Sequence, residues 1–348
     1  MGIASLQPAA PRIDFKSPPI KTGSVIMRLS LSVPLSMCAL LATTWTASPV
    51  SAELLYGLTT SNSITVFNSS APNVAIDGGF VDGLVAGEEL IAIDFRPGSG
   101  QIYLLGSSET LYTFDLPSLD ATAVGNFSAT ADLRGTSFAF DFNPMFNGGE
   151  FARIISGTDH NRVISGNTGQ YLLPVDKTKV FYAAGDPNEG ANPNIAGIAY
   201  TNSLGVPTST QQYGIDATLG VLTTVANNAG TLQTVGSLGI AGSLTNELGF
   251  DISGATGIGY ASLQTGPNSQ LYRIDLGTGA ATLLGTFTSG DLIRDITVIP
   301  VAIPEPSSAL LAGMLLSSLM IRRRRQRPRT AWTLAANMQL QNNRTEWV

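Results

Sequence analysis

The clearest pattern of apolar and polar positions lies at residues 271–285, LYRIDLGTGAATLLG. Leu271, Arg273 and Asp275 alternate with Tyr272, Ile274 and Leu276, the period of two that sends successive side chains to opposite faces of a strand. Gly277, Thr278 and Gly279 supply a tight turn, and residues 281–284 return as a second strand. The same hairpin recurs at residues 111–125, LYTFDLPSLDATAVG, with Leu, Tyr, Asp, Leu, Ala, Thr and Gly in matching places. Fainter copies fall at residues 213–223, 162–171 and 64–68. A repeat of roughly 45–60 residues is of the size of a propeller blade.

Short strand patterns fill each interval. Residues 90–97, 101–106, 111–115 and 121–125 make one set of four, and residues 138–144, 152–156, 162–165 and 170–173 make the next. A third set restarts at residues 198–201, and a fourth runs from residue 249 to residue 285. Residues 177–193 read as a polar loop, and the Gly- and Asn-rich residues 227–242 fit no strand, which leaves room for a sixth blade. One strand is left over at residues 293–299, and one is missing before Leu54. The two ends would complete a single blade and remove the exposed sheet edge of a linear array. The expected fold is therefore all-β: a β-propeller of about five blades of short antiparallel strands, closed by its N- and C-terminal strands.

Composition agrees with a turn-rich β protein: 43% hydrophobic, 13% charged and 37 glycines in 348 residues. The formal charge of −6 hides an asymmetry. Residues 53–303 hold 22 acidic and 8 basic side chains, a net charge of −14. Such a body repels phosphate backbones, which excludes nucleic acid as a partner.

The ends have their own organisation. Met27 and Arg28 precede an apolar run at residues 29–42, and Val50, Ser51 and Ala52 end in small residues, the layout of a secretory signal peptide cleaved after Ala52. Residues 1–26 then read as an extension upstream of the true start, and signal peptidase is an expected partner. The only cysteine, Cys38, falls in the segment to be removed, so the mature chain has no thiol for a disulfide, a metal or nucleophilic catalysis. Near the other end, Pro304, Glu305 and Pro306 precede an apolar run of residues 307–321. Arg322, Arg323, Arg324 and Arg325 follow, a cluster that holds the cytoplasmic side of a short transmembrane helix. Residues 330–348 form a tail without a readable role.

Within the body the chemistry is sparse. His160 is the only histidine and lies in a hairpin turn beside Asp159, so a histidine-rich metal site is excluded. No nucleophile elbow, P-loop or strand-linked dinucleotide fingerprint is present. Asp115, Asp216 and Asp275 each precede a turn and serve it. Asp94, Asp141, Asp251 and Asp295 occupy one position in four of five units, with Ala199 in the fifth. If the first strand of each blade lines the channel, these four form an acidic ring that suits Ca²⁺, an oxygen-seeking ion. The same carboxylates would otherwise bond the backbone of a turn or a neighbouring blade, or be neutralised by Arg96 and Arg294. Acidic residues around an open pocket would suit a carbohydrate-active hydrolase, which needs two carboxyls about 5–10 Å apart.

Two resemblances follow. Pro304-Glu305-Pro306, an apolar stretch and the cluster Arg322 to Arg325, after a signal peptide, resemble the PEP-CTERM sorting tail of Gram-negative bacteria. That resemblance implies export, transient anchoring in the inner membrane, processing by an exosortase-type enzyme, and delivery to the cell surface or an extracellular polysaccharide matrix. Ile93-Asp94-Phe95-Arg96-Pro97, Phe140-Asp141-Phe142-Asn143-Pro144, Ala191-Asn192-Pro193, Ala199-Tyr200-Thr201-Asn202-Ser203 and residues 271–285 resemble a bacterial family called domain of unknown function 4394. The resemblance implies a propeller-like repeat and no established activity. The family's Asp-Arg-Ile-Arg run is here reduced to Arg153-Ile154-Ile155, with residues 145–150 in place of its start. The functional expectation is an exported, non-catalytic binding or structural scaffold, with the hydrolase as the alternative.

Overall fold

The computed structural model describes residues 52–127, 133–288 and 290–300. Chain contacts divide the protein into residues 1–49 and 50–348, and every described residue lies in the second unit. The extension, the signal peptide up to Ser51, the sorting segment at residues 301–329 and the tail lie outside the described residues. No helix among the described residues is long and apolar enough to cross a membrane.

Five antiparallel meanders account for the body. β1 (Leu54–Thr59), β2 (Ser63–Asn68) and β3 (Ala71–Phe80) are the outer strands of blade 1. β4 (Leu90–Arg96), β5 (Gln101–Gly106), β6 (Thr110–Asp115) and β7 (Asp120–Asn126) form blade 2. β8 (Phe138–Phe142), β9 (Phe151–Ser156), β10 (Asn161–Ser165) and β11 (Tyr171–Asp176) form blade 3. Blade 4 contains β12 (Phe181–Tyr182), β13 (Ile195–Tyr200), β14 (Gln212–Asp216), β15 (Val221–Val225) and β16 (Thr231–Ser237). Blade 5 is β17 (Gly249–Ile252), β18 (Gly259–Leu263), β19 (Gln270–Ile274) and β20 (Ala281–Thr286). The last strand, β21 (Ile293–Ile299), pairs with β1, Leu55 opposite Val298 and Gly57 opposite Ile296, and completes blade 1 from the other end of the body.

Two stretches differ from the sequence expectation, and both belong to blade 4. Residues 227–242 carry β16, the partner of β15, so no sixth blade is needed. Residues 177–193 carry β12, which pairs parallel to β16 as a fifth, outermost strand.

The core explains why so many strand positions are apolar on both faces. The described residues bury five hydrophobic clusters, and each one lies between two neighbouring blades. Ile102 and Leu104 of β5 face blade 1, whereas Tyr103 and Leu105 on the opposite face pack against Phe140, Phe142 and Ile154 of blade 3. Period-two alternation therefore distributes a strand between two cores, as in any sheet covered on both sides. Close approach also recruits glycine: a Cβ at Gly249 would lie 2.4 Å from the Ile296 nitrogen, so β17 runs against the closing strand with no room for a side chain.

Candidate functional site: the carboxylate ring

The innermost strands β4, β8, β13, β17 and β21 bring the four aspartates together. Asp94, Asp141, Asp251 and Asp295 are 5%, 3%, 5% and 7% exposed. Their carboxylates reach across to the next blade in one rotational sense. Asp295 of blade 1 accepts the Ile93 N–H of blade 2 at 2.9 Å, and Asp94 of blade 2 accepts the Phe142 N–H of blade 3 at 2.8 Å. Asp141 of blade 3 takes the Tyr200 N–H of blade 4 at 3.4 Å, and Asp251 of blade 5 takes the Val298 N–H of blade 1 at 2.6 Å. The break in this cycle is blade 4, where Ala199 packs in an apolar cluster with Leu248, Phe250 and Ile252 of blade 5. A hydrophobic contact replaces the polar stitch at that junction.

Three of these groups crowd. One oxygen each of Asp94, Asp141 and Asp251 lies within 4.8 Å of the others, and Asp295 stands outside this trio. Burial first, and then the neighbouring Asp251, push the Asp94 carboxyl well above its ordinary value. Asp141 is likewise pushed far up by burial and then by Asp94 and Asp251. Burial raises Asp251 to about 6 against the backbone N–H donors that hold it down, and raises Asp295 well above the usual range. Thr297 shows the consequence in its hydrogen bonds. Its hydroxyl accepts the Phe95 N–H and lies 3.1 Å from both Asp94 Oδ1 and Asp251 Oδ2. A hydroxyl has one hydrogen to give. With both carboxylates ionised, one of them faces a lone pair, so the arrangement calls for a proton on one carboxyl or a cation between them.

A Ca²⁺ ion holds its oxygens at about 2.3–2.6 Å. Ligands on opposite sides of such an ion are separated by about 5 Å, so Asp94, Asp141 and Asp251 fit a single cation by distance. Most of their oxygens already accept a backbone N–H or the Thr297 hydroxyl.

Arg96 and Arg294 do not neutralise the ring. Arg294 turns away from Asp295 and bridges Glu247 at 2.8 Å and Glu89 at 2.6 Å. Adjacent strand residues point to opposite faces, which separates Arg294 from its sequence neighbour. Arg96 donates to the Tyr103 hydroxyl and Asn167, with its guanidinium 5.9 Å from the Tyr103 and Phe142 ring centres. His160 sits in the β9–β10 turn, its Nδ1 3.2 Å from Asp176, which also takes Arg162 Nε at 2.8 Å. The turn aspartates behave as expected: Asp275 accepts the N–H groups of Gly277 and Thr278, Asp216 those of Thr218 and Leu219, and Asp115 that of Ser118.

Sequence reasoning overlooked other buried polar groups. Glu53 accepts the hydroxyls of Thr256 and Tyr260 and that of Ser253, joining blades 1 and 5, and Glu88 accepts those of Ser107, Ser108 and Tyr112. Arg153 is buried with only neutral partners. The available signal was its place in a strand pattern, as one of eight cations in the body.

A closed five-bladed propeller with a buried carboxylate ring is the class of protein that these features define. Residues 63–297 match the family described as domain of unknown function (DUF4394), and the chain belongs to that family. No curated protein matches. Solved structures resemble it only distantly. A structural-genomics protein of unknown function from Bacteroides thetaiotaomicron VPI-5482 is 14% identical with a TM-score of 0.41, covering 71% of this chain and 64% of its own. A chain of a nidogen/laminin complex is 12% identical with a TM-score of 0.39, covering 71% of this chain and 98% of its own. Kuenenia stuttgartiensis hydrazine synthase is 14% identical with a TM-score of 0.33, and the match spans about half of its chain, 51%.

Proposed function

We propose that this protein is an exported propeller, sorted to the cell surface or extracellular matrix, that works by binding or scaffolding rather than by breaking bonds. One observation carries the second half of that reading. The four aspartates that a hydrolase would use are buried and spend their oxygens on the neighbouring blades. General acid and base carboxyls must instead meet substrate and water. Four clefts among the described residues take their walls from other side chains. The cleft beside the starts of the inner strands holds two carboxylates, Glu89 and Glu247, but Arg294 bridges both. The first half rests on sequence order: a signal-type segment at residues 27–52, the body, then Pro304-Glu305-Pro306, an apolar run and Arg322 to Arg325.

Fractionation of a Gram-negative host that carries an exosortase-type system tests the proposal. The full chain is expected in the surface or matrix fraction, and a chain ending at Ile303 in the soluble exported fraction. Recovery of both from the cytoplasm, or identical distributions of the two, would contradict it.

A further inference from the structure

A buried cation without a counter-charge lines a cleft between blades 3 and 4. Arg153, 5% exposed, donates from Nε to the Tyr200 hydroxyl and from Nη2 to Asn228 Oδ1, both at 2.9 Å, and from Nη1 to Asn161 Oδ1. Every one of these acceptors is neutral. Among the described residues no carboxylate lies within ion-pair distance of it, although the body holds 22 acidic residues. Arg162 and Arg294 each pair with carboxylates, and Arg96, also held by neutral acceptors, stacks near the Tyr103 and Phe142 rings instead. A buried, unpaired charge is costly. Three of the five guanidinium N–H groups of Arg153 are used, and one remains on each terminal nitrogen for a further acceptor.

The cleft around it measures about 310 Å³, close to the lower end of small-molecule sites. Its rim is apolar where a surface is ordinarily polar: Phe146 is 59% exposed and Leu172 42%. Asn143, Asn227 and Asn228 add amide groups. An aromatic face, amides and a cation match one kind of ligand, a ring with a hydrophobic face, several hydroxyls and one carboxylate. Inorganic phosphate would satisfy Arg153 and leave Phe146 and Leu172 in water. We infer that this cleft binds a uronic acid residue of an acidic polysaccharide, its carboxylate on Arg153 and its ring against Phe146. The inference names a ligand for the binding role proposed above and rests on that reading.

Calorimetric titration of the purified full-length chain at low ionic strength tests it, with oligogalacturonate, a neutral galactose oligomer, acetate and inorganic phosphate as separate probes. The acidic oligomer is expected to bind at least tenfold more tightly than the neutral one and than either small anion. Arg153→Gln should erase the difference between acidic and neutral oligomers, and Phe146→Ala should weaken both the wild-type preference and the affinity. If Arg153→Gln unfolds, Phe146→Ala decides, since its exposed ring contributes little to the core. Equal binding of acidic and neutral oligomers, no binding of oligogalacturonate by the wild type, small-anion binding as tight as the oligomer, or an unaffected Phe146→Ala would each overturn the inference. Surface retention without uronate binding would defeat this inference alone, and uronate binding by a cytoplasmic protein would defeat the sorting proposal alone.

Discussion

Asp141 differs from the other ring carboxylates in one respect that a substitution can exploit. A single backbone N–H, from Tyr200, donates to it, whereas Asp251 accepts from both Ile252 and Val298. An amide at position 141 can accept from Tyr200 and turn its NH₂ toward the oxygens of Asp94 and Asp251. Asp141→Asn is therefore expected to raise stability at pH 8 by about 0.5–2 kcal/mol. For a body of this size that is an increase of about 2–4 °C in midpoint per kcal/mol. Asp251→Asn should gain less, because it sets an NH₂ against a backbone donor. The sign with pH follows from the raised carboxyls. A carboxyl at about 6 when folded, as Asp251 is, and at about 3.9 when unfolded contributes stability that is whole below about 4 and lost as pH rises through 6. Asp94, Asp141 and Asp295 extend the loss to higher pH. Asp176, Asp186 and Asp275 are held below the usual range and lose their contribution only at the acid end, so the windows do not overlap. Thermal scans from pH 4.5 to 8.5 should show a falling wild-type midpoint and a flatter Asp141→Asn curve. Millimolar Ca²⁺ at pH 8 should leave the wild type unchanged. A rise that EDTA removes and Asp141→Asn lacks would instead place a cation on the trio.

At the scale of elements, closure by β21 holds the ring. Ile296 is 1% exposed, lies opposite Gly57 of β1 and packs in the cluster shared by blades 1 and 5. Ile296→Ala should cost about 2–5 kcal/mol, measured by chemical denaturation, as a large cavity in a core does. A cost near zero would mean that the last strand is dispensable. The pairing of β21 with β1 was legible because Asp295 and Ile296 repeat the inner-strand pattern of Asp94 and Phe95. β16 and β12 were not. Gly236 and the flanking Asn and Gly of residues 227–242 hide the apolar period of Thr231–Ser237, and a strand of two residues, Phe181–Tyr182, has no period to read. The shared position of the four aspartates was visible in the repeat, but not their mutual distances, which depend on how blades pack. Arg153 was missed for a related reason: an arginine in a strand reads as solvent-facing until the neighbouring blade covers it.

At the scale of the whole molecule, blade 1 joins the two ends of the body, with Leu54 opposite Ile299. Both processing sites expected from the sequence, after Ala52 and near Pro304 to Pro306, therefore flank one blade. Trimming at either site would leave the strand pairing of β1 and β21 intact. The proposal that the propeller is exported and trimmed at both sites is tested most directly by intact-mass spectrometry of the protein recovered from a host with the sorting system. The predicted species begins at Glu53 and ends near Pro306. A mass that still contains Cys38 or Arg322 to Arg325 would contradict the account.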